Sequence, residues 1–579
     1  MKRIEFPTEL MVFADRISDH WMNKITKSIS KIQDKDSVPK LDDWYFVIRN
    51  LLEKEEKPPS ILWGLCSKIA WIQADIKFFT NKSDFLVKEA EYQSDPLLLS
   101  YVGAGITELI NSDDGITIIG KGFSQLKTSK DWPALFDVVT PYILLLSNLN
   151  QIATLENVFF TIKGIFEDVL KSDSNYQPLY LPVQAFAFLK NSEETQFDPS
   201  DALNVVKQSQ HHLNTGLMYT LMSHKEEGDI FKRHLEAAIQ EYLLINANNR
   251  LIIAYTNFAS YYASKVKHNE ASEYLSKATS LAALLSEELD SGISIYPLVQ
   301  KAWFFVEQGQ LQEAKNLFKL VLEKTKFFHS SLYQIKVEFG LSYIAFLESQ
   351  DDLALTHAKT ALSIVEKTES QDPQYQYDFH LKYAGLLIDL NKLDEIPSIF
   401  ESINVDNLKN CSKAYYYYTQ GKYEFHIHNI GIAKGFLDEA MKHTEDCPDF
   451  RSNLLYAQAE IYLNEYRLSE DPKVLQEAQN MITESLEKLK GIPERTKGQC
   501  LLAIMLSAQG RIEEAEELLE SLTTDSPKSI PRFRILAEKL LDNIHKSRVG
   551  AVPLSPITNI RDALRYLRDA KTLIDSQSR

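Results

Sequence analysis

Apolar residues recur three and four positions apart through almost every long stretch of the 579-residue chain. That is the period of an α-helix seen from its buried side. Few runs alternate with period two, and no two strand-like runs are joined by a glycine turn. The pattern predicts helices of about 12–20 residues with short connectors. In the first part of the chain, Ile61–Phe79, Ala134–Leu149, Leu155–Leu170 and Arg233–Leu244 read as amphipathic or buried helices. Breaks are expected at Pro58-Pro59 and Gln177-Pro178, and Gly115–Gly122 reads as a turn between helices. Near the other end, Val552-Pro553-Leu554-Ser555-Pro556 separates Pro531–Ile544 from a final helix expected over Asn559–Asp575.

Composition supports an all-helical reading. With 20 glycines and 20 prolines, the chain is poor in the residues that turn-rich sandwiches and barrels need. Hydrophobic residues at 44% and charged residues at 25% leave enough apolar surface for cores, which excludes wholesale disorder. No apolar run reaches the roughly 18 residues that would span a bilayer, so no membrane insertion is expected. The opening MKRIEFPTEL has neither the apolar stretch nor the cleavage site of a secretory signal. Cys66, Cys411, Cys447 and Cys500 form no CxxC pair and are too few for a disulfide framework. A cytoplasmic protein is the expectation.

A repeat runs through the middle of the chain. Tyr255, Phe258, Ala259 and Tyr262 share one helical face, and after a polar turn Ala271, Leu275 and Ala278 share another. The small residues let two antiparallel helices approach, and the large ones fill the space between pairs. The same arrangement returns with Ala314, Phe318 and Val321; with Ala354, Ala358 and Ala361; with Ile396, Phe400 and Ile403; with Ala433, Leu437 and Ala440; with Ala478, Ile482 and Ser485; and with Ala515, Leu519 and Leu522. The turns Gly309-Gln310-Leu311, Asn391-Lys392-Leu393 and Gly510-Arg511-Ile512 precede three of these second helices. Glycine ends the first helix there at low strain.

The small–large pattern over residues 250–525 resembles the tetratricopeptide repeat family, with a unit of about 40 residues in place of that family's 34. Lys301 stands where an apolar residue is usual, Ile396 where alanine is usual and Glu424 where an aromatic is usual. The resemblance implies an all-α fold, a right-handed α-solenoid of antiparallel helix pairs. It divides the chain into a helical N-terminal region over 1–249, which continues or caps the repeats, the repeats over 250–525, and basic C-terminal capping helices over 526–579.

Signatures of chemistry are lacking. His426 and His428, two apart, point to different helical faces, as do the neighbours His211 and His212. No cysteine lies at a zinc spacing. Neither a phosphate loop, nor a GxGxxG, nor a GxSxG elbow is present. The run Glu513-Glu514-Ala515-Glu516-Glu517 reads as a solvated helix face. No enzyme activity, cofactor or metal is expected, and an enzyme with its site in residues 1–249 is a lesser alternative.

Stacked helix pairs present a concave face lined mainly by their first helices. The unpacked faces of those helices carry Tyr296, Trp303, Phe339, Tyr343, Phe346, Tyr415, Tyr418 and Lys422. Aromatics with a polar tip bury much area in an interface. The resemblance and this set together imply a non-enzymatic scaffold or adaptor that binds a protein partner, as a peptide or helix, in the groove. A ligand- or peptide-sensing regulatory protein is the alternative, weakened because no helix-turn-helix with a basic recognition helix accompanies the repeats. Some family members clamp a terminal carboxylate with Lys and Asn on successive first helices. The equivalent places here hold Thr256, Ser260, Val299 and Trp303, so that clamp is not expected.

Charge adds one more expectation. The net charge is −17, a poor basis for nucleic-acid binding, and a ligand with apolar anchors and some basic residues follows from it. The last 52 residues run against this, with about eleven basic and five acidic side chains, so a final helix that folds back to cap or occlude the groove is a further expectation.

Overall fold

The computed structural model describes residues 6–32, 39–149, 151–170, 177–190, 198–223, 228–286, 291–328, 330–367, 373–444, 447, 450–523 and 530–548. The expected final helix over Asn559–Asp575 lies outside these. Among the described residues there are helices and no strand. No described helix is long and apolar enough to cross a membrane. The chain forms two compact units, Met1–Gln300 with Leu320–Tyr333, and Lys301–Lys319 with Gln334–Arg579.

In the second unit, first helices Ser331–Leu347, Pro373–Asp389, Asn410–His426, Arg451–Ser469 and Ile492–Ala508 alternate with second helices Asp351–Lys367, Ile396–Glu401, Ile430–Lys442, Pro472–Lys488 and Ile512–Thr523. The helix Pro531–Arg548 follows. The alternation arises from one recurrent turn. Val266 in the first unit, and Gly309, Ser349, Asn391, His428, Glu470 and Gly510 in the second, all have left-handed φ, between 52° and 79°. At six of the seven, the next amide reaches back five residues, as Gln310 N to Phe305 O at 2.8 Å and Arg511 N to Leu506 O at 2.9 Å. This bond satisfies a carbonyl that the helix end would otherwise orphan and reverses the chain. The seventh turn closes differently, with Asp471 capping the next helix through Lys473 N and Pro472 in its first turn.

The repeat anchors form the seam within the pairs. Ala314, Phe318, Ala354, Ala358, Ala433, Leu437, Ala478 and Ala515 are fully buried. Small polar residues enter this seam by bonding the facing backbone: Ser342 Oγ donates to Ala354 O at 2.7 Å, and Ser485 Oγ to Ser452 O at 2.9 Å. The second helix at Ile396 is only six residues long, with Pro397 in its first turn.

The first unit departs from the sequence expectations in two places. Gly115–Gly122 is not a turn: it lies inside the helix Ser112–Ser129. Its two outer glycines are seven apart, two turns on one face, and press against Pro96–Leu109. A Cβ on Gly115 would lie 2.2 Å from Thr107 N, and one on Gly122 2.3 Å from Ser100 Oγ. Glycine here is a packing residue, not a breaker. The single helix expected over Ile61–Phe79 is two, Ser60–Gln73 and Ile76–Tyr92. Ala74 turns left-handed between them, and Asp75 caps the second by accepting from Phe78 N at 2.9 Å. Gln177-Pro178 opens the helix Gln177–Lys190, where proline's missing N–H costs nothing.

A buried ion pair sits among these helices. Lys68 Nζ lies 2.7 Å from both carboxylate oxygens of Asp137, and the Tyr101 hydroxyl also donates to Asp137. Both charged side chains are almost wholly buried, 2% and 6% exposed. Such a pair contributes little net energy but is costly to break on one side.

Candidate functional site

The first helices of the second unit surround a hollow of about 370 Å³. Successive helical turns supply its walls. Phe339, Tyr343 and Phe346 come from one helix; Lys382, Leu386 and Asp389 from the next; Tyr415, Tyr418 and Lys422 from the third. In each case the spacing of three and four places the residues on one face. Tyr456 and Asn453, then Glu494 and Lys497, continue the wall. Trp303 and Phe533 complete it from the two ends of the unit.

Seven of the eight residues expected at a groove line this hollow: Trp303, Phe339, Tyr343, Phe346, Tyr415, Tyr418 and Lys422. Tyr296 does not. It lies in the first unit, where its hydroxyl donates to Asn257 Oδ1 at 3.0 Å. The expected set omitted Lys382, Asp389, Phe450, Asn453, Tyr456, Glu494, Lys497 and Phe533, which also line it. Lys382 and Asp389 had a signal, since with Gly385 and Leu386 they form an i, i+3, i+4, i+7 face. Glu494 and Phe533 had none, because only the curl of the unit brings them in.

Two long-range ties hold that curl. Tyr343 Oη donates to Glu494 Oε1 at 2.6 Å across 151 residues of sequence. Arg532 pairs with Asp351, donates to the Phe346 carbonyl, and stacks 4.0 Å from the centre of the Phe346 ring.

The aromatics form two clusters. Tyr415 and Tyr418 stack with centroids 6.0 Å apart, and Phe450 meets both edge-on at 5.5 and 5.1 Å. Trp303 lies 6.3 Å from Tyr343, which stacks on Phe346 at 6.4 Å. Among the described residues the Tyr415 and Tyr418 hydroxyls make no hydrogen bond, so both polar tips are left for a ligand or water. Burial pushes both phenols up. Burial, then the Glu494 carboxylate, do the same to Tyr343.

The charges are unevenly compensated. Lys422 Nζ lies 2.8 Å from Asp389 Oδ1. Burial pushes the Asp389 carboxyl up, but Lys422 and Lys497 outweigh it and hold the group down at about 2. The side chain is ringed by protein yet 31% exposed, as expected of a group that meets solvent only through the hollow. Lys497 sits over the Tyr456 ring at 4.5 Å and Lys382 over Phe379 at 4.8 Å. Neither donates a hydrogen bond among the described residues. The surrounding helices push the Lys382 amine down against the pull of the Asp378 carboxylate, although the residue as a whole is exposed; burial, then the Lys382 charge, push the Lys336 amine down.

A second hollow, in the first unit, is lined by Tyr45, Arg49 and Asp75. Its polar groups bind one another: Asp75 accepts from the Tyr45 hydroxyl at 2.7 Å and from Arg49 at 2.9 Å while capping its helix. A carboxylate so engaged holds structure and is poorly placed as an acid or base. No group of three or more metal-ligating side chains occurs among the described residues.

The chain is thus an all-α helical-repeat protein, built of antiparallel helix pairs with a tetratricopeptide-like unit. No protein-family model and no curated protein matches its sequence. Solved structures similar to it include yeast Tom70, at 16% identity and TM-score 0.34, covering 83% of this chain and 96% of that one. A Rap protein complexed with competence and sporulation factor has 12% identity and TM-score 0.40, covering 71% and 99%. The human IFIT1 dimer with m7Gppp-AAAA has 16% identity and TM-score 0.37, covering 69% and 82%. Likenesses this distant carry no argument about function.

Proposed function

We propose that the chain is a non-enzymatic interaction protein whose second unit holds a peptide segment or helix of a protein partner in the aromatic hollow. One observation carries the reading: seven residues chosen for lying on unpacked helix faces converge on a single cavity, with two stacked phenols whose hydroxyls have no partner among the described residues. Tyrosine and tryptophan there offer large, rigid contact area at low entropy cost. A volume near 370 Å³ suits a few side chains of a segment whose remaining length runs beyond it. The test is affinity capture with the wild-type chain beside a folded triple variant, Trp303→Ala, Tyr343→Ala and Tyr418→Ala. Loss of a direct partner in the variant alone supports the reading. Equal retention of every direct partner by both proteins refutes the hollow as the binding site.

A second reading, a peptide-responsive sensor, rests on the Tyr343–Glu494 tie, which crosses the hollow and would respond to its occupant. It requires a change in the unit's dimensions on binding, measurable by small-angle scattering.

A further inference from the structure

We propose that residues 549–579 of the chain itself occupy the hollow, laying an apolar helix face against the aromatic clusters and keeping the site closed until a partner displaces them. This names the regulation of the site described above and rests on the peptide reading.

Residues 549–579 lie outside the described ones, and their sequence carries the pattern of a groove ligand. On the helix expected over Asn559–Asp575, Ile560, Ala563, Leu564, Leu567, Ala570 and Ile574 recur at three and four and share one face. An apolar stripe of that width belongs against another surface. Arg561, Arg565 and Arg568 stand in a row along one edge of it.

The preceding helix, Pro531–Arg548, starts at the hollow. Phe533 lines it. Arg532 pairs with Asp351 and donates to the carbonyl of Phe346, another lining residue. The segment is therefore anchored to the wall of the site it would fill. From Phe533 to Arg548 the helix runs about 22 Å. Residues 549–558 span up to about 33 Å when extended, enough to bring the stripe back over the opening. A ligand tethered at this range acts at a concentration of about 1 mM, so even a weak contact is mostly filled.

The hollow offers the matching surface. Its rings suit aliphatic side chains, and its volume near 370 Å³ takes a few of them. Two carboxylates beside it lack a cation. Glu460 accepts from the Tyr456 hydroxyl at 3.0 Å and Glu494 from the Tyr343 hydroxyl at 2.6 Å, and neither makes an ion pair among the described residues. The arginine row can supply what they lack, since a guanidinium keeps its charge and forks to a carboxylate. On the larger scale the chain is acidic, at −17, whereas 549–579 holds Arg561, Arg565, Arg568, Lys571 and Arg579 against Asp562, Asp569 and Asp575. Approach is favoured as well as contact.

Two experiments on the full-length chain test this. In the first, Leu567→p-benzoylphenylalanine places a photo-cross-linker in the stripe, and cross-links in the monomer are mapped by mass spectrometry. They are expected on Ser331–Leu347 and Asn410–His426. Cross-links confined to other surfaces, such as the outer face of Pro531–Arg548, or found only between two copies, overturn the occlusion. In the second, a fluorescein-labelled synthetic peptide of residues 559–575 is titrated into wild type and into the double variant Leu564→Asp, Leu567→Asp. The variant is expected to bind it about tenfold more tightly, the ratio for a segment of about 0.1 mM affinity tethered at about 1 mM. Adding Tyr418→Ala to the variant is expected to remove that binding. Equal affinity for wild type and variant, no binding to either, or binding indifferent to Tyr418→Ala overturns the proposal. Where Tyr418→Ala fails to fold, the cross-link map decides, because it leaves the hollow unaltered. None of these failures touches the peptide reading, which stands or falls on the capture experiment above.

Discussion

Glycine to alanine should have opposite signs at two helical sites of the first unit. At Gly115 the added Cβ would stand 2.2 Å from the Thr107 amide nitrogen, against the 3.4 Å at which ordinary contact begins. The obstacle is backbone, which cannot rotate aside, so the helices Ser112–Ser129 and Pro96–Leu109 must part by about 1 Å. Overpacking of this kind costs about 1–3 kcal/mol, and the upper half of that range applies here. Alanine returns about 1 kcal/mol through its better helix propensity. The net is a loss of about 1–2 kcal/mol. At Gly164, exposed in the helix Ile152–Leu170, nothing lies within 4 Å of the added atom. Only the propensity gain remains, about 1 kcal/mol of stabilisation. In thermal unfolding these correspond to shifts of opposite sign, no more than about 2–4 °C per kcal/mol for a unit of this size. Scanning calorimetry with hydrogen exchange read on Pro96–Leu109 measures both. If Gly115→Ala and Gly164→Ala move the transition the same way, the close approach of the two helices is not the reason for the glycine.

The remaining predictions concern charge and thiols. In Lys422→Met the Asp389 carboxyl loses its main partner and its pKa rises from about 2. A depressed carboxyl stabilises the fold above its unfolded value of 3.8 and loses that contribution as pH falls through the folded value, so wild type should exceed the variant by about 2 kcal/mol at pH 7, the gap closing between about pH 4 and pH 2. Urea unfolding across that range measures it, and a gap that does not change with pH refutes the assignment. Lys68→Met strands the Asp137 carboxylate in the core and should cost about 3–5 kcal/mol, most of it recovered by adding Asp137→Leu; denaturant titration of the single and double variants separates a stranded charge from lost packing. Burial pushes the Cys500 thiol up to about 12 and raises Cys66 further, whereas Cys411 is exposed. A thiol reagent should therefore label Cys411 at once and Cys66 and Cys500 only on unfolding, and early labelling of Cys500 would contradict its burial.

What could be read from the sequence was local. The helical period, the alanine seam at 314, 354, 433, 478 and 515, and the turns at Gly309 and Gly510 all depend on residues within a few turns of one another, and periodicity and left-handed propensity report such neighbours directly. The unpacked faces of the first helices belong to the same level, which is why Trp303, Tyr343, Tyr415 and Tyr418 could be named from spacing. Signals that depend on the facing helix were misread. Gly115 and Gly122 carry a breaker's propensity, and only contact with Ser100 and Thr107 makes them packing residues. Ala74 has no turn propensity, yet adopts left-handed φ where Asp75 caps the next helix. The enclosure of the hollow was decided at a longer range still. Small rotations between successive helix pairs accumulate until Tyr343 meets Glu494 and Arg532 meets Asp351, 151 and 181 residues apart. Each rotation depends on how side chains of two helices interlock, and no single segment encodes their sum. The same accumulation set Trp303 and Phe533, from opposite ends of the unit, around one hollow.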